Sequence, residues 1–155
     1  MISQNYFTAW KETRTITFQI AEVMKSDPNF KLDFKPHPDM NSFGDTTSHL
    51  NAVIYHMFKS YLKIPNIEIP DYLMEESNYE TFKKELETPD KMVKNLYTDL
   101  TPEDLEQEAY FWEPTHTSYS KGWVVHTLIS HERWTQAQLK MYLKIMGCDT
   151  SSIGH

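Results

Sequence analysis

The stretch HERWTQAQLKMYLKIMG, residues 131–147, decides the fold because its residue types repeat with the period of an α-helix. Read at 3.6 residues per turn together with the residues before it, the segment predicts one continuous inward-facing stripe. The stripe is apolar at both ends and polar in its middle, and it consists of Val124, Leu128, His131, Thr135, Gln138, Tyr142 and Met146. Unpaired buried polar groups cost about 1–3 kcal/mol each, so the stripe predicts a polar site inside a helical core.

Composition indicates one folded domain that does not bind nucleic acid. The chain has 155 residues, of which 39% are hydrophobic and 24% charged, as is typical of folded soluble proteins. Only four glycines occur, which disfavours a β-rich fold with many tight turns. The net charge of −7 repels phosphate backbones, and no basic patch compensates for it.

The cysteine content and the hydropathy pattern favour a cytoplasmic protein. Cys148 is the single cysteine, so no intramolecular disulfide can form, and with no motif around it we expect a passive thiol. Polar residues interrupt the N-terminal segment, which argues against a signal peptide. No run of about 18 uncharged apolar residues occurs, so we expect no transmembrane helix and no membrane partner.

Helix-start and helix-stop signals divide the chain into four long helices, predicted over residues 3–26, 43–62, 78–98 and 119–147. Ser42-Phe43-Gly44-Asp45 and Ser77-Asn78-Tyr79-Glu80 resemble capping boxes, and Gly147 suits a left-handed C-cap. Thr101-Pro102 predicts a short helix to about residue 109. Pro89 should break or kink the third long helix.

The remaining segments complete a prediction of an all-α four-helix bundle. Residues 27–41 contain three prolines and are expected to form a long crossover loop. Residues 110–118 are predicted to be an aromatic, irregular connector. We therefore expect a single bundle domain over residues 1–148 and a polar, frayed C-terminal tail over residues 149–155.

Two histidines on inward faces are the best candidates for chemistry. His49 lies on the inner stripe of the second helix and His131 on that of the fourth, so we expect the two rings to meet at mid-bundle. Imidazole is a common ligand of zinc, nickel and iron. A third ligand belongs one helical turn after His131, where Thr135 stands, and a threonine hydroxyl is a poor ligand that is better suited to holding a water. Alternatively, both histidines are core residues that hydrogen bond each other or nearby groups.

Other polar residues near the pair have weaker claims. Glu113 and His116, in the aromatic connector, are reserve ligands. Glu132 either orients His131, acts as a general base, or is exposed, and its position about 100° from His131 favours exposure. Gln138 is the expected inward hydrogen-bond partner. Two further histidines are not expected to join the site, His56 because it lies about 10 Å along the helix from His49 and His126 because it lies in a solvent-facing row.

Two motifs resemble the DinB/YfiT-like superfamily. The pattern His131-Glu132-x-x-Thr135-x-x-Gln138-Leu139 resembles part of its last helix, where the usual form is His-Glu-x-x-His-x-x-Gln-Leu. The segment MNSFGDTTSHL, residues 40–50, is similar to the start of its second helix, where the first ligand histidine sits. The resemblance implies an up-down-down-up four-helix bundle, often dimeric, with short accessory helices. In that family three histidines commonly hold a divalent metal such as zinc or nickel.

The resemblance assigns His49 and His131 to the first two ligand positions and Thr135 to the third. Because Thr135 replaces a histidine, metal binding is expected to be weak or lost. Two functions follow as alternatives. One is a metal-dependent transferase or hydrolase that acts on a small thiol or electrophile. The other is a non-catalytic binding or stress-response protein with a vestigial site. A homodimer is expected from the resemblance and from the surplus of aromatic residues, nine Tyr and four Trp.

Overall fold

The computed structural model describes residues 2–71 and 78–154, which are mostly helical. The helices are α1 (Ile2–Ser26), α2 (Phe43–His56), α3 (Tyr79–Asp99), α4 (Pro102–Glu106) and α5 (Lys121–Met146), and the π-helical turn Met57–Tyr61 extends α2. The strands β1 (Glu108–Trp112) and β2 (Thr117–Ser120) flank the 3-10 turn Glu113–Thr115. The predicted all-α class is confirmed, and the four long helices begin and end within two residues of the predicted bounds when the π-helical turn is counted with α2.

Side-chain caps explain where the helices begin. Ser42 and Asp45 form the predicted capping box at the start of α2, in which each side chain accepts a hydrogen bond from the backbone N–H of the other residue. Asn78 caps α3 by accepting from the N–H of Thr81 at 3.0 Å, whereas Ser77 of the predicted box lies outside the described residues. Gly147 ends α5 with a φ of +81°, a conformation that a glycine adopts at little cost.

Helices α2 and α5 pack against each other in opposite directions, and this arrangement positions the candidate site. The ring of Phe43, at the start of α2, lies 6.4 Å from that of Tyr142 near the end of α5. At the other end of the pair, Tyr61 lies 6.3 Å from Trp123. Helix α1 contacts α3 and α5, and helix α2 contacts the same two helices.

The core consists of two apolar halves with a polar layer between them. One half contains Ile20, Phe43, Leu86, Leu139 and Leu143, and the other contains Trp10, Ile54, Val93, Tyr97 and Leu128. The polar layer is the set of buried polar residues at mid-height, Arg14, Thr17, Asn51, Glu85, Glu132 and Gln136. Each of the four long helices contributes at least one residue to it, so the layer links all four.

The prediction of an irregular connector over residues 110–118 is wrong. Strands β1 and β2 pair antiparallel, with Tyr110 opposite Tyr119 and Trp112 opposite Thr117. Aromatic and β-branched residues favour strands because they pack well across a pleated surface. The predicted short helix consequently ends at Glu106 rather than at residue 109, because Ala109 belongs to β1.

Pro89 does not break the third long helix. Helix α3 continues through Pro89, and the proline itself is buried. A proline inside a helix removes a backbone hydrogen bond and costs about 3 kcal/mol. The neighbouring residues Leu86 and Val93 are fully buried, so tertiary packing of this face offsets the local cost.

The prediction of a frayed C-terminal tail is wrong for residues 149–154. Ile153 is only 2% exposed and belongs to one apolar half of the core. The N–H of Gly154 donates to Gln19 at 2.8 Å, and its carbonyl accepts from Lys140 at 2.9 Å. Cys148 is buried beside this tail, and burial, together with the nearby Asp27, raises the pKa of its thiol to about 11, as expected for a passive thiol.

No helix among the described residues has the length and apolar character that crossing a bilayer requires.

Candidate functional site

His49 and His131, together called the His pair, meet in the groove between α2 and α5. Their Nε2 atoms are 3.3 Å apart, and the ring centroids are 5.2 Å apart with the ring planes inclined by 67°. The antiparallel packing of α2 and α5 brings these two positions to the same height. The prediction that the two rings meet is confirmed, but the prediction that both lie on inward faces is wrong for His49, which is exposed in this groove.

The distance within the His pair suits two ligands of one metal ion. Two nitrogens bound to a tetrahedral zinc ion at about 2.0–2.1 Å lie roughly 3.3 Å from each other. A direct hydrogen bond between two ring nitrogens at 3.3 Å would be longer than the usual range of about 2.7–3.2 Å for N–H donors. The spacing of the pair thus matches two nitrogens bound to one metal ion. The alternative interpretation is a long hydrogen bond between the two rings.

The two rings differ in their exposure to solvent. His49 is exposed, whereas His131 is partly buried. Burial lowers the pKa of His131 to about 4, and the adjacent His49 contributes to the same shift. At neutral pH the His131 ring is therefore uncharged and retains one nitrogen lone pair, which is the form of histidine that binds metals.

The hydroxyl of Thr135 is hydrogen bonded within its own helix. This residue lies one turn after His131 and is buried, and its hydroxyl donates a hydrogen bond to the backbone carbonyl of His131 at 3.0 Å. The reserve ligands Glu113 and His116 are exposed in the β-hairpin and do not join the His pair. Across residues 2–71 and 78–154, no group of three or more His, Cys, Asp or Glu side chains is placed to hold a metal ion.

The expectation that Glu132 is exposed is wrong. Glu132 is 1% exposed, and its Oε1 accepts hydrogen bonds from Arg14 Nη1, at 2.6 Å, and from the hydroxyl of Thr17. This carboxylate forms an ion pair with the guanidinium of Arg14, which is itself only 2% exposed. Glu132 therefore stabilises the bundle. Its Oε1 atom is bonded to Arg14 and Thr17 and does not bind His131.

Gln136, rather than the expected Gln138, is the inward amide of α5. Its Nε2 donates to the backbone carbonyl of Thr13 at 2.6 Å and to Thr17 Oγ1 at 2.7 Å. A sequence signal for this arrangement exists, because Leu128, Glu132 and Gln136 follow one another at four-residue intervals along α5. Arg14 likewise follows Trp10 by four residues on α1, which places it on the buried side.

Replacing Glu132 by Gln should destabilise the protein strongly. The variant leaves the buried Arg14 guanidinium without a carboxylate, and breaking a buried ion pair typically costs about 3–5 kcal/mol. Urea unfolding followed by circular dichroism measures the loss. The control removes both charges at once, with Arg14→Met and Glu132→Leu, and should lose less stability than Glu132→Gln alone. A loss below about 1 kcal/mol in Glu132→Gln, as at an exposed ion pair, would contradict this role of Glu132.

Acid should destabilise the metal-free protein through His131. The pKa of His131 is about 4 in the folded chain and about 6.5 when unfolded, so the unfolded state takes up a proton first as the pH falls. We expect stability to decrease from about pH 6.5 to pH 4, by at most about 1.4 kcal/mol per pH unit from this group. Urea unfolding in EDTA at several pH values measures this slope.

The variant His131→Gln should show a smaller slope in this pH window than the wild type. The matched control, His126→Gln, replaces an exposed histidine of the same helix and should retain the wild-type slope. Equal slopes in His131→Gln and the wild type would show that protonation of His131 is not linked to unfolding.

Comparison with known families agrees with the fold and the motifs. The sequence model of the DinB superfamily matches residues 9–135, which is more than half of the chain and includes His49, His131 and Thr135. No curated protein and no solved structure matches the chain. The chain belongs to the DinB superfamily.

Proposed function

We propose that this protein binds one divalent metal ion, zinc or nickel, through the Nε2 atoms of His49 and His131, and acts on a small thiol or electrophile as a transferase or hydrolase. The observation that carries the proposal is the 3.3 Å separation of the two Nε2 atoms. It equals the separation of two nitrogens on one tetrahedral ion, about 3.3 Å. Membership of the DinB superfamily supports the same assignment.

The protein contributes two fixed nitrogens and an opening to solvent. His131, on α5, is partly buried, whereas His49, on α2, is exposed to solvent. A divalent ion held by the pair would supply Lewis acidity, which stabilises negative charge on a thiol or a carbonyl oxygen. With two protein ligands, more coordination positions are left for water or substrate than in a three-histidine site.

A non-catalytic role is the alternative, and one observation favours it. The third ligand position is occupied by Thr135, whose hydroxyl proton is used within its own helix. The described part of the chain offers no group of three strong ligands in its place. On this alternative the protein is a binding or stress-response protein, dimeric as in many members of the family, and the His pair is vestigial.

Metal titration distinguishes the two functions. Protein purified without a histidine tag should bind zinc or nickel with a stoichiometry of one ion per chain, measured by calorimetry or by metal analysis after dialysis. His49→Ala and His131→Ala should each lose this binding, because one imidazole alone is a weak site. His126→Ala, which removes an exposed histidine of the same helix, should bind as the wild type does. Absence of saturable binding in the wild type would refute the metal-dependent function.

Adding the missing imidazole should strengthen the site. Thr135→His places a third histidine one helical turn from His131, and three protein ligands are typical of catalytic zinc. We expect the affinity for zinc or nickel to rise on the order of tenfold or more. The control Ala137→His adds a histidine at an exposed position of the same helix and should not change the affinity. No gain in Thr135→His would mean that position 135 does not converge on the His pair.

A further inference from the structure

A second groove, between α1 and α5, contains a cavity that the His pair does not use. The cavity has a volume of about 520 Å³ and lies where the start of α1, the short helix α4 and the first half of α5 come together. Small-molecule sites commonly have volumes of about 300–1,000 Å³. Its position separates it from the His pair, which lies in the groove between α2 and α5.

The wall of this cavity is apolar and rigid. Tyr6, Leu105 and Ile129 line it from three different helices, and Ile129 is only 5% exposed. The ring of Tyr6 stacks on the buried ring of Tyr97 with a centroid distance of 5.8 Å, which fixes its orientation. Such a wall suits a hydrocarbon or aryl group, because burying apolar surface is favourable by about 25 cal/mol per Å².

Arg133 supplies a positive charge at the same cavity. Its Nε donates to the hydroxyl of Thr13 at 3.2 Å, which holds the guanidinium in place. None of the ion pairs formed within residues 2–71 and 78–154 involves Arg133. The two terminal nitrogens of a guanidinium carry four N–H donors in a planar fork that matches a carboxylate. Arg133 thus offers an anion-binding group in a chain whose net charge is −7.

Two further polar side chains line the cavity and extend its polar edge. His126 lies seven residues before Arg133, about 10 Å along the axis of α5. Asn5 lies on α1, across the groove. The neighbouring cavity on the other side of Arg133 is lined by Glu12, which disfavours a ligand with several negative charges. The arrangement therefore favours a single anionic group over a polyphosphate.

We propose that this cavity binds a small amphiphilic monocarboxylate, with the carboxylate on the guanidinium of Arg133 and the hydrocarbon or aryl body against Tyr6, Leu105 and Ile129. The proposal does not depend on the metal-dependent function, since none of these residues belongs to the His pair. It rests on the coincidence of an apolar cavity of ligand size with a guanidinium that is hydrogen bonded to Thr13 and forms no ion pair within the described residues.

Calorimetric titration with octanoate tests the proposal. Octanoate should bind the wild type, and 1-octanol, which has the same chain length without the charge, should bind more weakly. Arg133→Gln should weaken octanoate binding on the order of tenfold, as expected from the loss of a charge-assisted, bidentate contact. The control Lys144→Gln makes the same change of charge at an exposed position of α5 and should leave binding unchanged. Equal binding of octanoate to Arg133→Gln and the wild type would overturn the proposal.

A second measurement on the wild type decides the question even if Arg133→Gln does not fold. Octanoate should shift the methyl NMR signals of Leu105 and Ile129, which line the cavity. Shifts confined to other methyl groups would overturn the proposal, as would equal affinities for octanoate and 1-octanol, which would mean that the apolar wall alone binds. Failure of octanoate to bind the wild type would also overturn the proposal.

Discussion

The buried ion pair between Arg14 and Glu132 is the interaction on which the arrangement of the helices depends. Both side chains are at most 2% exposed, so both charges have lost their water. That desolvation costs several kcal/mol per ion and is repaid only if the partners meet with good geometry. The Nη1–Oε1 distance is 2.6 Å, and the Trp10 ring lies 5.0 Å from the centre of the guanidinium, whereas Arg14 Nε and Glu132 Oε2 are buried without a hydrogen-bond partner. Sliding α1 along α5 by one turn would leave two unpaired buried charges, so the pair selects one register.

The same guanidinium also determines where the two histidines meet. Arg14 donates through Nη1 to Glu132 on α5 and through Nη2 to Asn51 on α2, at 3.2 Å. Glu132 is the residue after His131, and Asn51 is two residues after His49. One side chain of α1 therefore links the two helices that carry the His pair, through residues one and two positions from the histidines. A separation of 3.3 Å between two nitrogens from different helices requires this kind of support, because a displacement of about 1 Å would abolish a shared ligand geometry.

Sequence reasoning recovered the parts of the fold that local chemistry determines. Ser42 with Asp45 forms the expected capping box, and Thr101 caps the expected short helix through a box with Asp104; these caps depend on residues three positions apart. The predictions from sequence are wrong where contacts between distant segments determine the position of a residue. The angle of about 100° from His131 predicts an exposed Glu132, but Glu132 is buried because it pairs with Arg14, 118 residues away in sequence. Ile153 was assigned to a frayed tail because nothing near it in sequence indicates that it returns to the core. The closeness of the two histidines was predictable from the helical period, whereas the exposure of His49 and the bonding of Thr135 to its own helix were not.

One turn of α5 links the site, the core and the second groove. Successive residues of a helix point about 100° apart. The side chains of residues 131–134 therefore lie in four different environments. His131 meets His49 of α2, Glu132 enters the polar layer, Arg133 bonds to Thr13 of α1 beside the outer cavity, and Trp134 is 66% exposed. Because the backbone of this turn is rigid, the ion pair of Glu132 fixes the direction of its two neighbours as well. The His pair and the anion-binding group of the second groove are thus oriented by the same buried contact, although they lie on different faces of the helix.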